Sequence, residues 1–257
     1  MLGRGWQTYT GSAMEERRLG RTGVCVSQVG IGTGAFPEAG APQHGARLLC
    51  EAARLGVTFW DTANNYDTYR EIRLALRRLG KASSRIVIAS KVEAHSARGA
   101  ASQLGRALRE LGRDRVDIML LHYVREPLRH WRGALKTLAR AKRRGDVRAI
   151  GLSTHRPRLV REALEAGGLD CVFVTLNLAG AWIEGRGGRA AMIEACRLAR
   201  RAGMGVVLLK VLASGQLSGR RVQALRWAAR QPFADAILIG VETTSQLHQD
   251  LAALDVR

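Results

Sequence analysis

Strand-like and helix-like segments alternate eight times along this chain, always in the same order. Short apolar runs begin near Val26, Val57, Arg85, Arg115, Val147, Cys171, Gly205 and Ala236. Each is followed by a segment of helical period, over 46–55, 69–79, 100–111, 128–144, 157–166, 189–201, 222–230 and 245–254. The apolar runs are rich in Val, Ile and Leu, as strands buried on both faces must be. Gly56, Gly80, Gly112, Gly145, Gly167 and Gly203 follow helical runs and read as stops, because glycine takes the left-handed conformation past a helix end without a Cβ penalty. Eight strand–helix units in 257 residues, with no break in composition, predict a single closed (β/α)8 TIM barrel. An open doubly wound sheet is the alternative. Gly30, Gly32 and Gly34 are spaced G-x-G-x-G but lead into a Pro-containing loop, so no dinucleotide-binding fingerprint opens a helix there. Segment 17–26 reads as two short extended stretches about a Gly-containing turn, a hairpin placed to close the bottom of the barrel.

Composition narrows the function. Hydrophobic residues make up 46% of the chain, and no apolar run reaches the ~20 residues that span a bilayer. Segment 1–13 is polar and Gly-rich and reads as a disordered lead-in to a barrel over 14–257, with Met14 as an alternative start. The net charge of +19 comes mainly from Arg, scattered over most of the predicted helices with no aromatic-interleaved patch, so no specific nucleic acid is expected as a partner. Cys25, Cys50, Cys171 and Cys196 form no C-x-x-C pair and read as small buried hydrophobes in a reducing, cytoplasmic setting. No metal-ligand spacing is present among the histidines.

The polar residues at the strand ends carry the chemistry. Asp61, Lys91 and His122 end the second, third and fourth predicted strands, and Tyr66 lies in the loop after Asp61. Ser153, Asn177 and Lys210 finish the fifth, sixth and seventh. In a (β/α)8 barrel these ends share one face, where active sites lie. Singly, each has a bland reading: a satisfied core histidine, a solvated lysine, a helix cap. Together they describe a proton-donating site. Tyrosine has an ordinary pKa of about 10, and a nearby ammonium favours its charged form. Asp61 is placed to hold Lys91, and His122 to hydrogen-bond a substrate oxygen. A donor on a carbonyl oxygen requires a nucleophile at carbon. With no nucleophilic serine or cysteine motif, hydride from a nicotinamide is the natural partner.

These residues resemble the aldo-keto reductase family over about 17–257. Phe59-Trp60-Asp61-Thr62-Ala63 with Tyr66 is similar to its F-D-T-A-x-x-Y segment, and Glu71 with Leu74-Ala75-Leu76 to the helix that follows. Ile88-Ala89-Ser90-Lys91, Asp117-Ile118-Met119-Leu120-Leu121-His122 and 145–153 resemble its lysine, histidine and G-K-V-R-x-I-G-V-S strands. The resemblance implies Tyr66 as proton donor, Lys91 and Asp61 as the pair that tunes it, and His122 as the substrate-orienting group. It implies NADPH or NADH as cofactor and a small-molecule carbonyl substrate, with no membrane partner and an unassigned oligomeric state. Thr33 would lie near the nicotinamide ribose, with Asp61 beside it, and Ser153 and Asn177 at the carboxamide. Lys210, Leu212 and Gly215 would cross the pyrophosphate, and Gly240, Glu242, Gln246 and Asp250 would hold the adenosine end. Several positions depart from the family pattern. Asp67 replaces Gly, Thr154 replaces Asn, Phe173 replaces Gln, and Leu209 replaces an aromatic residue. Glu242 and Asp250 stand where a basic residue and Asn are usual, which weakens NADPH preference, although Arg220 and Arg221 are near enough in sequence to compensate. A nicotinamide-binding barrel serving as a regulatory or interaction subunit is the rival reading.

Overall fold

A computed structural model describes residues 14–36 and 41–255; the lead-in expected over 1–13 lies outside the described residues. The chain opens with an antiparallel hairpin, β1 (Glu16–Arg18) and β2 (Cys25–Ser27), in which Arg17 pairs with Val26. The first barrel strand, β3, is Val29–Gly32, so the strand predicted near Val26 is corrected: Val26 is spent on the hairpin and the chain turns at Gln28. Then follow α1 (Pro42–Arg54), β4 (Phe59–Asp61), α2 (Tyr69–Leu79), β5 (Val87–Val92), α3 (Ala97–Leu111) and β6 (Val116–Leu121). The second half is α4 (Arg132–Arg144), β7 (Val147–Thr154), α5 (Pro157–Ala166), β8 (Cys171–Thr175), α6 (Gly188–Arg201), β9 (Gly205–Leu209), α7 (Arg221–Ala229), β10 (Ala236–Ile239) and α8 (Thr244–Ala253). Strands β3 to β10 are all parallel and close into an eight-stranded barrel, β10 pairing with β3. The helix expected over 128–144 begins as a 3-10 turn, Leu128–Trp131, before α4. The six glycines read as helix stops all have positive φ.

Two apolar layers hold the barrel. The larger lies between strands and helices, and includes Trp60, Ile88, Met119, Leu152, Val174 and Val206. The smaller fills the interior with alternate strand residues such as Phe59, Ala89, Ile118, Leu120, Phe173 and Val207, as the pleat requires. Leu19, Val24 and Val26 of the hairpin join this interior cluster, so the hairpin does plug the barrel. Gly20 makes the fit: its φ is +50, and a Cβ there would stand 2.3 Å from the Gly205 backbone nitrogen. The same alternation turns Cys25 out while Val26 is buried. The expectation of four buried cysteines therefore holds for Cys171 and Cys196, while Cys50 is half-buried and Cys25 exposed.

Four short side chains at the amino-terminal rim stitch the strands in pairs. Ser27, beside β3, accepts from the backbone nitrogens of Thr58 and Phe59 at 3.1 Å each. Asp117 in β6 accepts from Ile88 at the start of β5 (2.9 Å), Asp170 before β8 from Ile150 in β7 (2.8 Å), and Asp235 before β10 from Val206 in β9 (2.9 Å). The pairs β3/β4, β5/β6, β7/β8 and β9/β10 are thus each tied by one such side chain, a repeat of two βα units. Asp235 also accepts from Gly20 (3.1 Å), which ties the hairpin to the rim.

Candidate active site

The carboxyl ends of the strands gather the residues singled out from the sequence. Asp61 is the last residue of β4, Lys91 lies one residue from the end of β5, and His122 follows β6 directly. Ser153 is the penultimate residue of β7, Lys210 follows β9, Gly240 follows β10 and Thr33 follows β3. Lys91 is 1% exposed and donates to Asp61 Oδ2 and to the Thr62 carbonyl, both at 2.7 Å. The same ammonium stands 4.8 Å from the centre of the Tyr66 ring. The His122 ring meets Tyr66 edge-to-face, with centroids 5.5 Å apart. Gly34 lies against the Tyr66 ring, where a Cβ would make ordinary van der Waals contact at 3.4 Å. The predicted four residues are therefore one cluster.

Its electrostatics differ in one respect from the expectation. The charge of Lys91 is the largest single influence on Tyr66 and lowers its pKa, but burial and the carboxylates of Asp61 and Glu93 together outweigh it, and the net shift is upward. Tyr66 is thus fully protonated at neutral pH, with the group that stabilises its anion already in place. Burial raises Asp61, against the lowering pull of Lys91. Burial, and after it the positive charge of Lys91, brings His122 down to about 3, so the imidazole is neutral. Its Nδ1 is 3.5 Å from Glu93 without forming a hydrogen bond.

Around this cluster the backbone is strained. Six of the seven non-glycine residues with positive φ among the described residues (Asp67, Tyr123, Trp182, Lys210, Ala213 and Ser214) lie in loops that follow barrel strands. Asp67 occupies the position where the family pattern has Gly, at φ 54, and its carboxylate takes a 2.8 Å bond from Arg106. Tyr123, His155, Trp182 and Glu184, which sequence reasoning passed over, build the adjoining wall. The Tyr123 and His155 rings are 4.5 Å apart, the Tyr123 hydroxyl donates to Glu184, and Lys210 sits 5.3 Å over the Trp182 ring. His155 stands two residues beyond Ser153 at the same strand end, so the strand-end rule carried two residues further would have found it.

The other predicted contacts fall into three groups. Thr33 is buried in a hydroxyl chain, 2.7 Å from Thr68, which is 2.8 Å from Thr62. Ser153 accepts from the Tyr123 nitrogen at 2.8 Å, and Asn177 accepts from the Ala181 nitrogen at 3.0 Å while donating to Ala181 and Lys210 carbonyls. At the far end, Gln246 caps the Glu242 nitrogen at 2.8 Å, Glu242 is exposed, and Asp250 is buried in a two-point pair with Arg221. Arg221 is therefore not free to compensate for acidic neighbours, because Asp250 holds it.

A bound nicotinamide nucleotide fits the residues present at the mouth. Asp61 Oδ1 and Thr175 Oγ1 are buried at the ends of β4 and β8 with no hydrogen-bond partner. Cβ atoms built on Gly215 and Gly240 would meet little or nothing nearby, which leaves bare backbone for close approach of a phosphate. Ser153 Oγ and Asn177 Oδ1 each keep a lone pair for an amide donor. The profile of the aldo/keto reductase family matches residues 28–224. The chain belongs to this family. Its members reduce carbonyl groups with NAD(P)H, and the chain is accordingly an NAD(P)H-dependent oxidoreductase. An aldo-keto reductase structure from Pseudomonas aeruginosa superposes with a TM-score of 0.80 at 27% identity, covering 96% of each chain. Pyridoxal 4-dehydrogenase of Microbacterium luteolum is 25% identical over 92% of this chain and 80% of its own. An aldo-keto reductase of Bacillus halodurans in holo form, at 18% identity and a TM-score of 0.77, shares the fold.

Proposed function

We propose that this aldo-keto reductase reduces an aldehyde or ketone to an alcohol with Tyr66 as the proton donor. The observation that carries this reading is the position of Lys91, held 2.7 Å from Asp61 and 4.8 Å from the Tyr66 ring centre. The nicotinamide, when bound, supplies hydride to the carbonyl carbon. The protein's task is the oxygen. Neutral His122 hydrogen-bonds it, Tyr66 gives it a proton as negative charge develops, and Lys91 stabilises the phenolate left behind. Asp61 keeps the Lys91 amine in place through its 2.7 Å hydrogen bond.

For the cofactor, the proposal assigns Asp61 and Thr33 to the nicotinamide ribose side, Ser153 and Asn177 to the carboxamide, and Lys210, Leu212 and Gly215 to the pyrophosphate. Gly240, Glu242 and Gln246 lie toward the adenosine, and Asp250 acts there through Arg221. An exposed Glu242 disfavours a 2′-phosphate, so NADH is accepted alongside NADPH. For the substrate, two ring pairs at the strand ends, Tyr66 with His122 and Tyr123 with His155, favour an aromatic aldehyde over an aliphatic one. The relative named as a pyridoxal dehydrogenase points to the same class. The free cysteines suit the cytoplasm. The test is oxidation of NADPH and NADH against matched aromatic and aliphatic aldehydes. Turnover with aromatic aldehydes supports the reading. No turnover with any carbonyl, despite quenching of protein fluorescence by the cofactor, would favour a regulatory nicotinamide-binding subunit instead.

A further inference from the structure

Helix α4 carries a row of cations on its outer face. Arg132, Lys136, Arg140 and Arg143 follow at steps of three and four residues, and Arg129 extends the row into the preceding 3-10 turn. Such steps stack side chains on one face of a helix, and all five residues are exposed. None of the five side chains makes a hydrogen bond or ion pair among the described residues. The remaining basic residues of α4 behave differently: Lys142 meets Asp170 at 2.6 Å and Arg144 meets Asp146 at 2.6 Å. On α6 and α7 likewise, Arg197 and Arg201 pair with Glu194, Arg200 with Asp235 and Arg221 with Asp250. Helix α4 has no acidic residue of its own. The basic residues are spread over most helices as expected, and on α4 helical periodicity gathers five of them on one face. Like charges at these steps destabilise a helix, so the row costs stability unless an anion covers it.

We propose that this face of α4 binds the phosphate backbone of duplex nucleic acid without reading its sequence. Arg132 to Arg143 spans about 16 Å of helix axis at about 1.5 Å per residue. Duplex DNA carries one negative charge per about 1.7 Å of its axis, so a helix of this length lies against more phosphates than the row has cations. The row contains no Asn, Gln or aromatic side chain to read base edges or stack on bases. A lipid surface fits less well, since among the described residues the exposed large hydrophobics are Tyr123, Trp182 and Val222, none of them on α4. A protein partner would need an apolar anchor, and beside the row the helix offers only the half-buried Ala139, since Gly133 and Thr137 pack against the start of α3. The catalytic groups lie on strand ends and loops, so this surface is separate from the reducing site.

The test is anisotropy of short labelled duplexes of two unrelated sequences, titrated with the full chain over a range of NaCl. The expected result is equal affinity for both sequences and a log–log salt slope of about −4, from roughly −0.9 per phosphate. R132Q/K136Q/R140Q should weaken binding at low salt at least about tenfold and make the slope shallower by about 3. R70Q/R77Q/R78Q removes the same charge from exposed positions on α2 and should change affinity by less than about threefold. Both variants should keep parental carbonyl reduction and circular dichroism, which shows that they fold. Absence of duplex binding by the parent, equal loss in both variants, or an unchanged slope overturns the proposal. Binding to phosphatidylserine vesicles but not to duplex also overturns it and reassigns the face to lipid.

Discussion

At the residue scale, Tyr66 illustrates how one side chain is held ready without being ionised. Burial and two carboxylates keep its proton on, against the opposite pull of the Lys91 charge. Lys91→Met should remove that support and raise the donor pKa further, so kcat should fall with cofactor affinity nearly unchanged, and any alkaline limb of the pH–rate profile should move to higher pH. An unchanged profile would reduce Lys91 to a structural ion-pair partner. Asp61 would then be buried without its cation, a loss of about 3–5 kcal/mol, unless it takes up a proton; urea unfolding of Lys91→Met alone and with Asp61→Asn separates the two effects. Glu242→Arg should shift the ratio of dissociation constants toward NADPH. A parent already strongly selective for NADPH, together with a silent variant, would show that Glu242 faces away from the ribose. Polar residues ending apolar runs have few roles open to them in a barrel, which is why Asp61, Lys91 and His122 were legible in the sequence. Tyr123 and Trp182 were not, because their place in the wall depends on left-handed backbone in loops that no periodicity encodes.

At the scale of elements, the helices over 69–79 and 157–166 match the structure end to end, since glycine stops and an apolar face mark both of their limits. The rim bonds were illegible, because an aspartate before a strand looks like any solvated loop residue until its neighbour strand is known. Asp235 serves three groups at once, the nitrogens of Gly20 and Val206 and, at 2.6 Å, Arg200. Asp235→Ala should strand two backbone donors and free the hairpin from the rim, costing about 2–4 kcal/mol. A lower urea midpoint at unchanged m-value would report this. A midpoint within experimental error of the parent would mean that the hairpin packs by its apolar plug alone.

At the scale of the whole molecule, the mouth of the barrel makes stability depend on pH. Burial lowers His122 to about 3 and His155 to about 4, both below the ordinary histidine value. Between those values and about 6.5 the unfolded chain binds protons that the folded chain does not. Stability contributed by the two neutral histidines is therefore fully present above about pH 6.5 and is lost as pH falls toward 4. Tm should decline across that window, and less steeply in His155→Asn. A flat Tm between neutral pH and pH 4 would contradict the assignment of neutral imidazoles. The closed barrel and its hairpin were legible from the eightfold alternation, whereas the coenzyme preference was not. Whether Arg221 is free to meet a phosphate depends on Asp250, 29 residues away in sequence, which only the fold brings against it.

The central claim is that Tyr66 supplies the proton, and Tyr66→Phe tests it most directly. Single-turnover oxidation of bound NADPH or NADH with an aromatic aldehyde, measured beside the cofactor dissociation constant, isolates the chemical step. The account predicts a rate about 10²–10⁴-fold below the parent with cofactor affinity preserved, the range typical of a lost general acid. Tyr69 is no substitute, because it lies on α2 with its hydroxyl bound to Ser90 at 2.6 Å. A single-turnover rate within about twofold of the parent would contradict the account.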